Sequence, residues 1–216
     1  MSWSEEAWHK IGPILEEIHN HPFVKGLADG TLPKESFARY LAQDKIYLAN
    51  YGHEMRDLAA MLPEGTLQDL YRKFAQESID TENALHEQLG EMGFESIDNE
   101  PLAGTLGYMR HTSGIIAERD LAVSMAAMLP CMWVYNEVGS YIRSIARLEG
   151  NPYRSWIECY SSTMMDEGTE YSIRLTDELA EKEGPEKREK MTRAFVESVK
   201  FELLFWDQSY ENYRVT

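Results

Sequence analysis

The sequence has few cysteines and no long uncharged apolar run, and each shortage excludes a class of protein. Its 216 residues include two cysteines, Cys131 and Cys159, too few for a disulfide framework or a four-cysteine zinc site. No window approaches 18 uncharged apolar residues, so we expect no membrane-spanning helix. The residues after Met1 lack the charged and then apolar pattern of a signal peptide. We therefore expect a cytoplasmic protein whose thiols stay reduced.

Positive charge and strand signals are scarce as well. Lys and Arg together number 21 against 37 Asp and Glu, which gives a formal net charge of -16. Such a surface repels phosphate groups, so we expect neither nucleic acid nor an anionic membrane as a partner. The Asp29-Gly30 pair follows a helical segment rather than joining two alternating strands. A hydrophobic fraction of 43% is ample for a large core.

Helical periodicity covers nearly the whole chain, with breaks at Pro and Gly. The pattern predicts one all-α domain over residues 1–216, a single-domain bundle of seven or eight helices. The expected helices are 3–20 with a bend at Gly12-Pro13, a short turn at 23–28, then 34–60, 66–92, 101–116, 119–148, 153–182 with a candidate interruption near Thr163, and 186–212.

The most apolar stretch runs from Met125 to Gly139 and contains Cys131 directly after Pro130. Proline in a helix interior removes one backbone donor and clashes with the preceding turn, which predicts a kink before the cysteine. Tyr135 lies four residues on and therefore shares a face with the thiol. The alternative is that Cys131 is simply a small buried hydrophobe.

Two carboxylates occupy positions where an apolar stripe should continue. Every neighbour of Asp44 three or four residues away is apolar or aromatic, and Glu202 has only Ser198 as a polar neighbour at these spacings. A buried carboxylate must find a hydrogen-bond partner or hold its proton at a raised pKa. Either outcome suits acid–base chemistry, although a structural carboxylate that joins two helices fits the same pattern.

Several tyrosines lie on the same helical segments as these groups. Asp44, Tyr47 and Tyr51 share one face at positions i, i+3 and i+7. A set of phenols can stack on a flat heteroaromatic ring and still donate hydrogen bonds, or it can be ordinary aromatic core. The tyrosines considered are Tyr47, Tyr51, Tyr108, Tyr135 and Tyr160.

Histidines do not form a convincing metal site. Glu6-x-x-His9 and Glu16-x-x-His19 have the spacing of di-iron bundles, but both lie on the first helix instead of on two facing helices. His86 follows Glu82 on a helix whose pattern predicts a charged surface. His53 and His111 have no ligand cluster around them in sequence, so we expect no metal and no cofactor.

Four motifs resemble the TenA/thiaminase II family. They are H-P-F-V-K-G-L-A-D-G-T-L-P at 21–33, Y-L-A-Q-D-K-I-Y-L at 40–48, L-P-C-M-W-V-Y-N-E-V-G at 129–139 and F-E-L-L-F-W at 201–206. The resemblance covers nearly the whole chain and implies the haem-oxygenase-like fold, a homotetramer and hydrolysis of thiamin or its aminopyrimidine breakdown products. Because Cys131 is present, the chain resembles the branch of the family that uses a cysteine.

The resemblance also implies a role for each candidate residue. Cys131 would be the nucleophile that adds to the pyrimidine ring, and Glu202 would protonate a ring nitrogen. Asp44 would hold the amino edge of the pyrimidine, and Tyr47 would tune the thiol. The remaining substrate-binding candidates are Tyr108, Tyr135, Tyr160 and Phe205.

Two other functions stay open from sequence. A protein of this fold could bind a pyrimidine without turnover, as a regulator. It could also be a cofactor-free or di-iron oxidase, like the pyrroloquinoline-quinone synthases, although that would require histidines or carboxylate–histidine pairs on facing helices. The preference between thiamin and the smaller aminopyrimidines depends on pocket size, which cannot be read from the sequence.

Overall fold

The computed structural model describes residues 1–91, 93 and 100–210, except for some side chains between residues 66 and 88. Within those ranges the chain is helical with no strand, as predicted. Most of the expected 93–99 loop lies outside the described residues, as do the expected helix ends at Met92 and Asn212.

Ten helices are present in the described part, against the seven or eight expected. They are α1 (Trp3–Lys10), α2 (Gly12–Asn20), α3 (Pro22–Asp29), α4 (Lys34–Met61), α5 (Thr66–Glu91), α6 (Ala103–Ala117), α7 (Leu121–Ile145), α8 (Arg154–Tyr160), α9 (Thr163–Ala180) and α10 (Pro185–Tyr210).

The extra helices come from two breaks that the sequence suggested but did not resolve. The first helix divides at Ile11, directly before Gly12-Pro13, because proline cannot donate to the preceding turn. The segment 153–182 divides after Tyr160, and the Ser162 hydroxyl caps the new helix by accepting from the Met165 amide. Each half of a divided segment can then take its own direction over the core.

The start of α6 corrects the expectation that Pro101 would begin this helix, since α6 begins at Ala103. Its first amides are satisfied by buried side-chain amides of other helices. Gln43 on α4 accepts from the Leu102 amide at 2.8 Å, and Gln208 on α10 accepts from the Gly104 amide at 3.0 Å. These long-range contacts place the helix start, and a local pattern cannot reveal them.

Helix α7 is the centre of the bundle and packs against α10, α9, α8, α6 and α3. By length and composition it could cross a membrane, which the expectation from sequence missed. However, 78% of its most apolar window is buried inside the protein, so it is a core helix. Pro130 lies inside α7, and helix continues on both sides of it. The helix ends at Ile145, a few residues earlier than expected.

The crossing of α7 and α8 depends on one glycine. A Cβ atom at Gly139 would lie 2.6 Å from the backbone carbonyl carbon of Tyr160, closer than packed atoms can approach. The missing side chain therefore lets α8 pack directly on α7. This close approach puts the Tyr160 ring 5.1 Å from the Tyr135 ring.

Candidate active site

A small pocket lies among α4, α6, α7, α8 and α10. All eight residues proposed from sequence line this pocket, together with Leu48 as an additional apolar wall. The lining residues are Asp44, Tyr47, Leu48, Tyr108, Cys131, Tyr135, Tyr160, Glu202 and Phe205. Their convergence is an observation, while the role of each one stays a prediction.

Glu202 on α10 is the most deeply buried acid of the pocket, at 2% exposure. Tyr108 on α6 donates its hydroxyl to Glu202 Oε1 at 2.6 Å. Burial raises the pKa of Glu202 to about 8, while the Tyr108 bond lowers it and the nearby Asp44 charge raises it. The Glu202 carboxyl group therefore holds a proton at neutral pH and can act as an acid.

Asp44 on α4 is 4% exposed, and its partner is a histidine. His86 Nε2 lies 2.7 Å from Asp44 Oδ2. The side chain of His86 is only 15% exposed, so its expected position on a charged surface is wrong. Sequence reasoning missed this contact because the partners are 42 residues apart and α5 is polar around His86.

Tyr47 contributes a buried hydroxyl group to the pocket wall. Its ring stacks on Tyr108 with centroids 4.8 Å apart, and it meets Phe205 edge to face at 6.1 Å. Its oxygen makes no hydrogen bond of acceptable geometry to any residue that the structure describes. Buried polar atoms are normally bonded, so this hydroxyl is available to a molecule in the pocket.

Cys131 on α7 is half-buried and belongs to the pocket wall. Burial is the main cause that raises the pKa values of Tyr47, Tyr108 and Tyr135, and a negative charge on Cys131 contributes to each of them. The sulfur is therefore close to three phenols. No histidine is among the pocket-lining residues within the described ranges.

Tyr51 does not join this pocket, although it shares a helical face with Tyr47. It lines a neighbouring cavity with Tyr71 and a group of methionines on α7. The Tyr51 ring stacks beside the Tyr47 ring at 5.8 Å, so Tyr51 supports the pocket from outside.

No three potential donor side chains of His, Cys, Asp or Glu cluster as a metal site among the described residues. In the two Glu-x-x-His motifs, Glu6, His9 and Glu16 are exposed. His19 instead stacks on Tyr141 with ring centroids 4.0 Å apart. Most residues of these two motifs therefore lie on the exposed side of α1 and α2.

Comparisons with family models and with known proteins indicate the same family. The family model described as TENA/THI-4/PQQC matches residues 8–212. The chain belongs to this family. It is 31% identical over 218 residues to the aminopyrimidine aminohydrolase of Halalkalibacterium halodurans, covering 97% of this chain and 96% of that one. It is 32% identical over 216 residues to the aminopyrimidine aminohydrolase of Bacillus subtilis, covering 97% and 90%.

Solved structures confirm the fold of the family. A TenA homologue from Pyrococcus furiosus matches with a TM-score of 0.87 and 26% identity, over 96% of this chain and 100% of that one. A protein from Shewanella denitrificans described as having a haem-oxygenase-like fold matches with a TM-score of 0.69 and 16% identity, over 98% and 93%. The expected haem-oxygenase-like all-α fold is therefore confirmed.

Proposed function

We propose that this protein is an aminopyrimidine aminohydrolase of thiamin salvage, with thiaminase II activity. The observation that carries the proposal is the pocket itself, in which a thiol, two acidic side chains and several aromatic rings converge, and in which burial raises the pKa of Glu202 to about 8. Curated relatives of similar length, at 31% and 32% identity, are named for that activity. The products would be hydroxymethylpyrimidine and an amine.

Substrate binding uses the two acidic side chains of the pocket and its aromatic walls. Asp44 accepts a hydrogen bond from the amino group of the pyrimidine, and Glu202 faces a ring nitrogen. The rings of Tyr135, Tyr160 and Phe205 bound the flat faces and edges of the substrate. Tyr108 holds Glu202 in place through its 2.6 Å hydrogen bond.

The chemistry begins when the Cys131 thiolate adds to a carbon of the pyrimidine ring. A ring nitrogen takes a proton from Glu202 at the same time, so that negative charge does not build up on carbon. The electron pair of the dearomatised ring then expels the amine, which leaves from its protonated form on the neighbouring methylene group, and the ring-nitrogen proton returns to Glu202. Water adds to that methylene carbon while Glu202 again protonates the ring nitrogen, and the proton lost by the water passes to solvent. The thiolate then leaves, the ring nitrogen returns its proton to Glu202, and the aromatic ring is restored. The net reaction consumes one water and releases one amine.

Activation of the thiol is assigned to tyrosine hydroxyls, because no described histidine lines the pocket. A cysteine thiol has a pKa near 8.5 without help, so a hydrogen bond that stabilises the thiolate increases the reactive fraction at neutral pH. The Tyr47 hydroxyl, which lacks a described partner, suits this role.

The experiment compares Cys131→Ser with Cys159→Ser, a matched thiol that does not line the pocket. The two proteins receive the aminomethyl pyrimidine and thiamin separately, and release of hydroxymethylpyrimidine is measured by chromatography. Cys131→Ser should lose turnover by at least about a thousandfold while it still binds hydroxymethylpyrimidine, and Cys159→Ser should stay active. Binding without product release by the wild-type protein would instead identify a pyrimidine-binding regulator.

The assembly, partners and location belong to the same proposal. We assign a cytoplasmic homotetramer that needs no metal or cofactor and binds neither nucleic acid nor membrane. The family resemblance supports the tetramer, and the net charge of -16 supports the lack of nucleic-acid and membrane partners. Two free cysteines are typical of the cytoplasm, and the expectation of no metal rests on the histidine pattern. Sedimentation velocity tests the tetramer, and turnover after treatment with a chelator tests the metal.

A further inference from the structure

The contact between His86 and Asp44 joins a residue outside the pocket to one inside it. Asp44 lines the pocket, whereas His86 lies behind it on α5, and their polar atoms are 2.7 Å apart. The two side chains are 6% and 15% exposed, so solvent competes little for the bond. The direct route by which His86 can act on a bound molecule is therefore the Asp44 carboxylate.

The chemistry of the pair fixes the direction of the hydrogen bond. An ionised carboxylate only accepts, so His86 Nε2 carries the hydrogen and donates it, whether the ring is neutral or charged. The side chains of Asp44's own helix one turn away are apolar or aromatic and buried: Tyr40, Leu41, Tyr47 and Leu48. Among described residues, His86 is the hydrogen-bond donor recorded for Asp44. A buried carboxylate without a donor would reorient or take up a proton.

The backbone of α4 at this point is anchored independently of His86. The neighbouring residue Gln43 accepts hydrogen bonds from the Leu102 amide and the Thr105 hydroxyl, each at 2.8 Å, and donates to the Glu100 carbonyl at 3.0 Å. Gln43 therefore holds the helix, and loss of the histidine would free only the Asp44 side chain. A local effect of this kind can be separated from general destabilisation.

We propose that His86 is a positioning residue that keeps the Asp44 side chain oriented toward the amino edge of a bound pyrimidine. The inference rests on the proposed function and assigns to α5 a part in substrate recognition. A carboxylate held in one orientation accepts the amino N–H of the substrate, whereas a rotated one places its oxygens away from that group.

The first test compares His86→Leu with His86→Gln. Leucine removes the donor and should raise KM about ten- to a hundredfold with a smaller change in kcat, as expected for a lost hydrogen bond to a charged group. Glutamine can still donate from its side-chain amide and should restore KM to within about threefold of wild type. His53→Leu, which removes an exposed histidine of α4, is the matched control and should leave KM unchanged.

The second test is a double-mutant cycle with Asp44→Asn. If His86 acts through Asp44, adding His86→Leu to Asp44→Asn should change KM by less than about twofold. Losses that multiply in the double variant would overturn the proposal, as would a His86→Leu protein whose KM equals that of His53→Leu. Failure of His86→Gln to restore KM in a protein of unchanged melting temperature would overturn it too.

The same cycle is measured as affinity for hydroxymethylpyrimidine by calorimetry. A wild-type protein that binds this product but shows no turnover would contradict the proposed function and leave the cycle readable in Kd. Coupling in Kd would then support the positioning role on its own, and additive changes in Kd would reject it.

Discussion

Two acidic side chains line the pocket, and their hydrogen-bond partners differ. His86 Nε2 lies 2.7 Å from Asp44 Oδ2. Glu202 instead accepts a hydrogen bond from the Tyr108 hydroxyl, and burial raises its pKa to about 8. We therefore expect Asp44 to accept an N–H group of the substrate and Glu202 to donate a proton.

Of the substitutions that test this difference, Glu202→Gln should lower kcat/KM the most. The amide cannot supply a proton, so kcat/KM should fall about a hundred- to ten-thousandfold, while affinity for hydroxymethylpyrimidine changes far less. Steady-state kinetics and calorimetry measure the two quantities. A variant that retains a tenth or more of wild-type kcat/KM would remove Glu202 from the proton transfer.

The unfolding free energy of the same variant should depend on pH differently from that of the wild type. Folded Glu202 keeps its proton up to about pH 8, whereas the unfolded chain releases it near 4.5, so wild-type stability is lost as pH rises between these values. Glutamine has no such cost. The difference in unfolding free energy between variant and wild type should therefore shift toward the variant from pH 5 to pH 8, as urea unfolding would show.

Asp44→Asn should have the next largest effect, and mainly on KM. The amide can present a donor where the substrate also donates, which turns an attraction into a repulsion. We expect KM to rise about ten- to a hundredfold with a smaller change in kcat. A loss confined to kcat would show that Asp44 takes part in the chemical step instead of holding the substrate.

Tyr108→Phe should lower activity moderately and should shift the pH profile of kcat/KM in one predicted direction. The Tyr108 hydroxyl lowers the pKa of Glu202, so its removal should raise that pKa further and move the alkaline fall of kcat/KM to higher pH. Activity at neutral pH should decrease by about tenfold or less. A shift of the alkaline limb to lower pH would contradict this arrangement.

The smallest effect should come from Tyr47→Phe. If the Tyr47 hydroxyl stabilises the thiolate, the variant should react with an alkylating reagent several-fold more slowly near neutral pH, and its reactivity profile should shift to higher pH. The Cys159→Ser background removes the competing thiol. Unchanged reactivity of Cys131 would remove that role from Tyr47.

The sequence revealed both acids of the pocket because each interrupts an apolar helical face. Asp44 and Glu202 are conspicuous by that criterion, and Cys131 is conspicuous beside Pro130 in the most apolar helix. His86 was hidden because a histidine on a polar helix looks solvated until the packing of α5 on α4 is known. The start of α6 was hidden for a similar reason, since Gln43 and Gln208 reach it from distant parts of the chain. Local periodicity predicts which residues are buried, but their partners depend on how the helices pack.

The most direct test of the central claim is the titration of Glu202 itself. Protein carrying ¹³C-labelled glutamate is titrated by NMR, and the Glu202 carboxyl signal is assigned by its absence in Glu202→Gln. We expect this signal to titrate with a pKa of about 8, well above the ordinary value of 4.5. A Glu202 signal that titrates near 4.5 would contradict the proposed role, because Glu202 would then be ionised at neutral pH and could not donate a proton.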